Sequence, residues 1–509
     1  MKTEQFTHVL LNGLALEPAQ VIVVARHYAP VELGSEAVAR IQAARAVIDT
    51  LAAEERKVYG VTTGFGHLSR VRIQHDQLTE LQHNLLRSHS AGVGEPLSEE
   101  VTRAMMLLLA ASLARGHSGV RVEVVQLLID MLNARICPLV PSRGSVGSSG
   151  DLAPLAHLGL TLIGEGESIV EGQRYSGSDA LKRAGLTPIS LHAKEGLALI
   201  NGTHLMEAIA VLALHDAQVL LRAAEVACAM SIEGLMGSHA PLDERIHRRR
   251  GQVGQQISAA RLRRLVAQSE INVSHADCPR VQDPYTMRCA PQVLGAVRDA
   301  LDYCAGVFER ELDAVTDNPL VFPDDGEVLS GGNFHGQPLA LALDFMAIAL
   351  AQLASFSERR IFNLMGPHDW DEGGAPLFLT PNPGLNSGFM IAQYVAASLV
   401  NEIKVLAHPA SIDSIPTSAG MEDFNSMGAT SAHKLLRVIE QARQVVAIEL
   451  MCAAQMLEFR KPLKPGLGAQ HAYEIVRSFV TKLEEDRVLA PDINALTLAI
   501  HEGAFESIE

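Results

Sequence analysis

Six long stretches of the chain, residues 98–135, 204–235, 290–316, 337–362, 388–407 and 428–459, are rich in Ala, Leu and Met and repeat apolar residues every three or four positions. That spacing predicts helices with a buried face. Several are apolar nearly all the way round, which a surface helix does not tolerate; such helices belong in the middle of a large bundle. Strand signals are few and short: the run Val21-Ile22-Val23-Val24, and Leu320-Val321-Phe322 with Glu327-Val328-Leu329 about the turn Pro323-Asp324-Asp325-Gly326. The pattern predicts a mainly α protein, a long central helical bundle with a smaller, loop-rich N-terminal region. The expected division is at 1–203 and 204–509, with the bundle and a C-terminal helical region in the second part.

Seven stretches break the helical pattern: 59–66 (YGVTTGFG), 143–155 (RGSVGSSGDLAPL), 200–203 (INGT), 282–288 (QDPYTMR), 330–335 (SGGNFH), 386–390 (NSGFM) and 414–427 (SIPTSAGMEDFNSM). Loops carry backbone groups that helices would have satisfied, so seven of them in so apolar a chain need a reason. Convergence on one site supplies it.

Composition narrows the partners. Hydrophobic residues are 48% of the 509, enough for a sizeable core. The formal charge is -16, from 58 acidic and 42 basic residues, which disfavours nucleic acid and anionic membrane. The one dense basic run, Arg248-Arg249-Arg250 with Arg261, Arg263 and Arg264 beyond, reads as a solvated helix face or subunit contact. The six cysteines form no CxxC pair, and no HExxH-like spacing appears, so neither a disulfide framework nor a metal site is expected. MKTEQFTHVLLNG lacks the basic and long apolar regions of a signal peptide, and the apolar window 339–356 carries Asp344 and reads as a buried helix. A cytoplasmic protein is expected.

The stretch 143–155 is the most informative. Its glycines fit neither a phosphate loop nor GxGxxG, and Ser149 is not in a GxSxG elbow. One reading is a helix start, with Asp151 as cap and Pro154 in the first turn. The other is backbone cyclisation: the Gly150 nitrogen reaches the Ser148 carbonyl, which needs a residue without a Cβ, and Ser149 loses water to become a methylidene.

The segment GSVGSSGDLAPLAH resembles the signature of the aromatic amino-acid ammonia-lyases, histidine and phenylalanine ammonia-lyases among them. The resemblance runs from about residue 45 to 430 through all seven stretches in family order. It implies the fumarase/aspartase-like superfamily architecture and a 4-methylidene-imidazol-5-one electrophile made from Ser148-Ser149-Gly150, with no dissociable cofactor. The usual triad is Ala-Ser-Gly; Ser148 departs from it at a position that contributes chiefly its carbonyl. The Tyr59 loop and the triad loop both fall in the expected N-terminal region.

Eliminating an amine and a β-proton requires a base at Cβ, an activated leaving group and a clamp on the carboxylate. By resemblance Tyr59 is the base; its plainer reading is a core aromatic. In QDPYTMR, Asp283-Pro284 reads as cap and first helical residue, which puts Tyr285 and Arg288 in the opening turns. A cation there opposes the helix dipole but is well placed to hold a carboxylate. The resemblance makes Arg288 that clamp, with Tyr285 beside it and Gln282 and Asn201 hydrogen-bonding near the electrophile. Asn201-Gly202 also reads simply as a turn. Phe334 matches a residue lining the pocket, and His335 reads as structural.

Two places bear on the substrate, a small-molecule amino acid. Ser88-His89 falls where histidine-type members carry Ser-His, and Glu422 where they carry Glu instead of Gln. A carboxylate accepts an imidazole N–H that a phenyl ring lacks. Met421 and Phe424 stand where the histidine-type motif has polar residues, and they point instead to a wider, more apolar pocket suited to phenylalanine, tyrosine or a substituted histidine. The resemblance further implies a homotetramer with shared active sites, in accord with helices too apolar for one bundle to cover.

Overall fold

The computed structural model describes residues 7–54, 58–63, 73–278, 280–366 and 375–509. Helix accounts for about 60% of it, and the strands are two to four residues long, so the mainly α expectation holds. Five of the six long stretches are single helices: His204–Gly234, Ala290–Glu311, Gln337–Met365, Met390–Leu406 and Gly428–Glu458.

The sixth is broken. Residues 98–135 form Glu99–Ala114 and Val122–Asn133, separated by a turn in which Gly116 has φ +78° and a Cβ would meet the Arg40 carbonyl oxygen at 2.6 Å. The Arg115 guanidinium seals the break, donating to the Leu312 and Ala314 carbonyls. The run 21–24 is also not a strand but the centre of the helix Pro18–His27. Pro18 at the first position is pre-set for helix, and the Gln20 side chain accepts the Glu17 backbone N–H at 2.8 Å. Burial of Val21, Ile22, Val23 and Val24 on every side outweighs a β-propensity that is only a weak prior. The hairpin Leu320–Phe322 with Glu327–Leu329 forms as expected, antiparallel, with Val321 opposite Val328.

The chain makes two compact units, each discontinuous in sequence. The first comprises the chain up to Leu212, Ala305–Leu343 and Ala410–His433; the second comprises Ala213–Cys304, Asp344–Pro409 and Lys434–Glu509. The expected boundary at 203/204 marks the start of the helix His204–Gly234, whereas the chain passes between units at 212/213, inside that helix. In the first unit, Ala44, Ile48, Val61, Leu78, Ala193 and Val321 form a buried cluster, which fixes the chain two residues beyond Tyr59.

In the second unit the long helices are tied by buried charge. Glu449, fully buried, accepts from Ser231 Oγ at 2.7 Å, Ser357 Oγ at 2.6 Å and the Arg360 guanidinium at 2.5 and 2.8 Å. Glu225 likewise accepts from Ser258 Oγ and the Arg298 guanidinium and forms an ion pair with Arg261. Arg248, Arg249 and Arg250 end the helix Glu244–Arg250 and are exposed, a solvated face with Arg248 paired to Glu244. Among the described residues, two helices, His204–Gly234 and Gln337–Met365, have the length and apolarity to cross a membrane, and their most apolar windows are 83% and 67% buried in the fold.

Candidate active site

The loop between the strand Pro141–Arg143 and the helix Leu152–Leu162 is a tight knot of hydrogen bonds. Ser145 Oγ accepts the Gly147 N–H at 3.1 Å and donates to Asp151 Oδ1 at 2.8 Å. The Gly202 carbonyl accepts the Asp151 N–H at 2.7 Å, and the Ser149 carbonyl accepts the Gly202 N–H at 3.3 Å. Gly150 therefore lies pressed against Gly202: its φ is +73°, and a Cβ there would lie 1.9 Å from the Gly202 oxygen. Only glycine occupies such a position without moving its neighbour.

Asp151 does not cap its own helix. Its Oδ2 accepts the N–H groups of Leu205 and Met206 at 2.9 and 3.0 Å, so it caps the helix His204–Gly234 instead. Complete burial raises its pKa to about 6, against the lowering effect of the Met206, Ser145 and Leu205 hydrogen bonds. Two further loops hold the knot from outside. Ser426 Oγ and the Gly336 N–H donate to the Gly147 carbonyl, at 2.8 and 3.3 Å, and the Met427 N–H donates to the Val146 carbonyl at 2.9 Å.

A cavity of about 420 Å³ opens over this loop, and Tyr59, Ser148, Ser149, Phe334 and Glu422 all line it. The Glu422 carboxylate is the focus of its polar contacts. Ser148 Oγ and Thr417 Oγ1 each donate to Oε2 at 2.8 Å, and Ser149 Oγ donates to Oε1 at 3.3 Å. Met421 and Phe424, both more than half exposed, form an apolar flank. His335 also lines the cavity; it stacks on Phe424 with ring centroids 6.2 Å apart, and its Nε2 lies 3.1 Å from the Phe424 carbonyl.

His89 ends the helix Leu78–His89. Its Nδ1 lies 2.9 Å from the Leu85 carbonyl, which only accepts, so that nitrogen carries the proton and Nε2 is left as the ring's acceptor. Burial lowers its pKa, opposed by the Leu85 bond and the nearby Glu422 charge.

The remaining expected residues are placed differently. Asn201 is buried, and its Nδ2 donates to the Asn318 carbonyl at 3.0 Å and Asp317 Oδ1 at 3.3 Å. Gln282, Tyr285 and Arg288 belong to the second unit. There Tyr285–Arg288 is a single helical turn with Pro284, not Asp283, as its cap; Asp283 instead accepts the Ser238 N–H and pairs with Arg280. Arg288 closes that turn instead of opening a helix, with its guanidinium 4.6 Å over the Tyr285 ring, and Tyr285 is 68% exposed. Of the 59–66 stretch, Gly64, Phe65 and Gly66 lie outside the described residues.

Sequence reasoning missed three lining residues, Asn318, Ser330 and Asp423, and a buried pair bonded to Asn318. Lys194 Nζ meets Asp317 Oδ2 at 2.6 Å, both groups buried, and Asp317 in turn accepts the Asn318 N–H. A lone Lys 123 residues from its partner gives no local signal.

A helical fold presenting a Ser-Ser-Gly knot, a tyrosine and a carboxylate to one cavity defines a class. Residues 16–478 match the family described as aromatic amino acid lyase, and the chain belongs to that family. A histidine ammonia-lyase from Symbiobacterium thermophilum is 54% identical over 96% of each chain. The crystal structure of histidine ammonia-lyase from Trypanosoma cruzi superposes with a TM-score of 0.91 at 44% identity, covering 98% of this chain and 94% of that one. A tyrosine aminomutase from Streptomyces globisporus superposes with a TM-score of 0.93 at 37% identity, covering 98% of each. The architecture is that of the fumarase/aspartase-like lyases, and the chain is an ammonia-lyase, an enzyme that breaks a carbon–nitrogen bond in an amino acid.

Proposed function

We propose that this enzyme eliminates ammonia from L-histidine to give trans-urocanate, using a 4-methylidene-imidazol-5-one made from Ser148, Ser149 and Gly150. The observation that carries the reading is the cavity in which Glu422 bonds to Ser148 and Ser149 and which Tyr59 and Phe334 also line. The triad fits the group. A bare Gly150 nitrogen, in a left-handed turn no other residue adopts freely, closes on the Ser148 carbonyl carbon. That oxygen leaves as water with the Gly150 and Ser149 amide protons, and Ser149 loses its hydroxyl and α-hydrogen as a second water. The group so formed is an electrophile that turns the substrate's amine into a leaving group.

The chain's own residues do the rest. Tyr59 takes the β-proton, with Tyr285 also at the reacting centre. Phe334 packs beside the triad, and Asn201 and Gln282 serve it by hydrogen bonds. Arg288 holds the substrate carboxylate with a bidentate fork. His89 offers an Nε2 lone pair and Glu422 a carboxylate, so both ring N–H groups of a protonated imidazole find acceptors. We further propose a cytoplasmic homotetramer in which another copy supplies Gln282, Tyr285 and Arg288.

The similarity to histidine ammonia-lyases supports histidine as substrate. The exposed flank of Met421 and Phe424 favours a second reading, a lyase for phenylalanine, tyrosine or a substituted histidine. The purified enzyme, offered histidine, tyrosine, phenylalanine and methylated histidines, is expected to release ammonia fastest from histidine, with urocanate as product. Faster release from phenylalanine or tyrosine would overturn the histidine assignment, and a β-amino acid product would overturn simple elimination.

A further inference from the structure

Ring closure uses only the carbonyl of Ser148, so its hydroxyl has no part in making the electrophile. In the structure that hydroxyl is nevertheless engaged: Ser148 is 4% exposed, and its Oγ donates to Glu422 Oε2 at 2.8 Å. Thr417 Oγ1 donates to the same oxygen at the same distance, and the Thr417 and Glu422 backbones pair across the loop. Oε1 has a single protein donor among these contacts, Ser149 Oγ at 3.3 Å. That oxygen atom of Ser149 is the one that departs as water when the triad closes. The two carboxylate oxygens therefore have different fates. Oε2 keeps two fixed hydroxyl donors, whereas Oε1 loses its one and stays on the wall of the cavity.

We infer that Ser148 is a positioning residue for substrate recognition: with Thr417 it holds Oε2 of Glu422 so that Oε1 receives the ring N–H of the substrate. The inference rests on the proposed reading of the site as an imidazole-binding lyase. A carboxylate held by two hydroxyls on one oxygen is fixed in rotation. Without the Ser148 hydroxyl the carboxylate keeps one anchor and turns about it, and the N–H acceptor is no longer held ready. A phenyl ring makes no use of this acceptor. The effect of Ser148 is thus confined to ligands that carry a ring N–H.

The test compares wild type with Ser148→Ala, Thr417→Val and Glu422→Gln in the whole enzyme. Near-ultraviolet absorbance and an intact mass short by two waters report closure of the triad, which Ser148→Ala should preserve. Inhibition constants are then measured for urocanate and for trans-cinnamate, its phenyl counterpart. Ser148→Ala should weaken urocanate about tenfold, raise KM for histidine similarly with a smaller effect on kcat, and shift cinnamate by less than about twofold. Thr417→Val should act in the same direction, and in the Glu422→Gln background the Ser148→Ala effect should shrink to less than about twofold. Equal losses for urocanate and cinnamate, unchanged urocanate affinity, or an undiminished effect without Glu422 would each refute the inference. A wild type that forms no urocanate from histidine would instead refute the proposed function.

Discussion

Gly150 and Gly202 approach so closely that they form an isolated parallel bridge, with the Gly202 oxygen where a side chain at 150 would begin. The contact needs a glycine at 150 beside a Gly202 carbonyl that accepts the Asp151 N–H, and it presents the 148–150 backbone as a turn already folded on itself. Gly150→Ala must push Gly202 away, and with it the start of the helix His204–Gly234. The variant should lack the near-ultraviolet absorbance and keep both waters of mass. Full absorbance in the Gly150→Ala variant would show that the close approach is not required for ring closure.

Ser149→Ala is the gentler change. The side chain loses one oxygen and no backbone contact, so folding and assembly should be normal. Only Ser149 can supply the methylidene carbon, so activity should fall to near background while the mass retains both waters. A normally active variant would dispose of the prosthetic-group assignment.

Tyr59 and Arg288 separate by kinetics. Tyr59→Phe removes a proton acceptor used only in the transition state, so kcat should drop by orders of magnitude with little change in substrate affinity. Arg288→Lys substitutes a point charge for a planar fork and should impair both kcat and KM. Turnover within a few-fold of wild type after Tyr59→Phe would mean that another residue is the base.

Specificity offers a further comparison. A buried polar group left without a partner costs roughly 1–3 kcal/mol, so a site reading imidazole through His89 and Glu422 should prefer histidine over phenylalanine by a hundredfold or more in kcat/KM. Combining Glu422→Gln with Ser88→Phe and His89→Leu should move that ratio towards phenylalanine. The histidine assignment does not survive a wild type that already prefers phenylalanine.

His204 sets a pH dependence of stability. Burial, with Arg115 adding, pushes its pKa down to about 3, against about 6.5 in an unfolded chain. Below about pH 6.5 the unfolded chain takes up a proton that the native histidine refuses. The contribution to stability is therefore whole above that pH and drains away as pH falls towards the native value. Asp151, Glu207 and Glu311, whose pKa values burial raises, pull the opposite way, so the comparison is with His204→Gln. The stability gap between wild type and variant in urea should change by on the order of 3 kcal/mol between about pH 7 and about pH 4, to the detriment of wild type. A constant gap would place a proton on the native histidine.

The parts of the fold visible in the sequence are those with a local cause. Long apolar periodicity marks the central helices, and the polar interruptions mark the loops that carry Tyr59, Ser148, Ser149, Phe334 and Glu422 to one cavity. Where reading fails, the cause is distant. At 21–24 a β-branched run is helical because the folded core buries it on all sides. The break after Ala114 depends on the Arg40 backbone and on carbonyls about two hundred residues away. Asp151 reads as a cap and is one, but for a helix that begins at His204. Lys194 and Asp317 reveal themselves only once the chain has folded.

Glu449 bears on how such a protein avoids folding wrongly. Helices sheathed in Ala, Leu and Met can slide past one another by a turn, about 5.4 Å, and still bury similar greasy area. The carboxylate removes that indifference. Slip the Gly428–Glu458 helix by one turn, and Arg360 faces hydrocarbon while two serines lose their acceptor. An unpaired charge in such surroundings costs several kcal/mol, as much as the stability of many whole domains. A single acidic side chain thus works as a vernier, giving one alignment of three featureless rods a distinct mark.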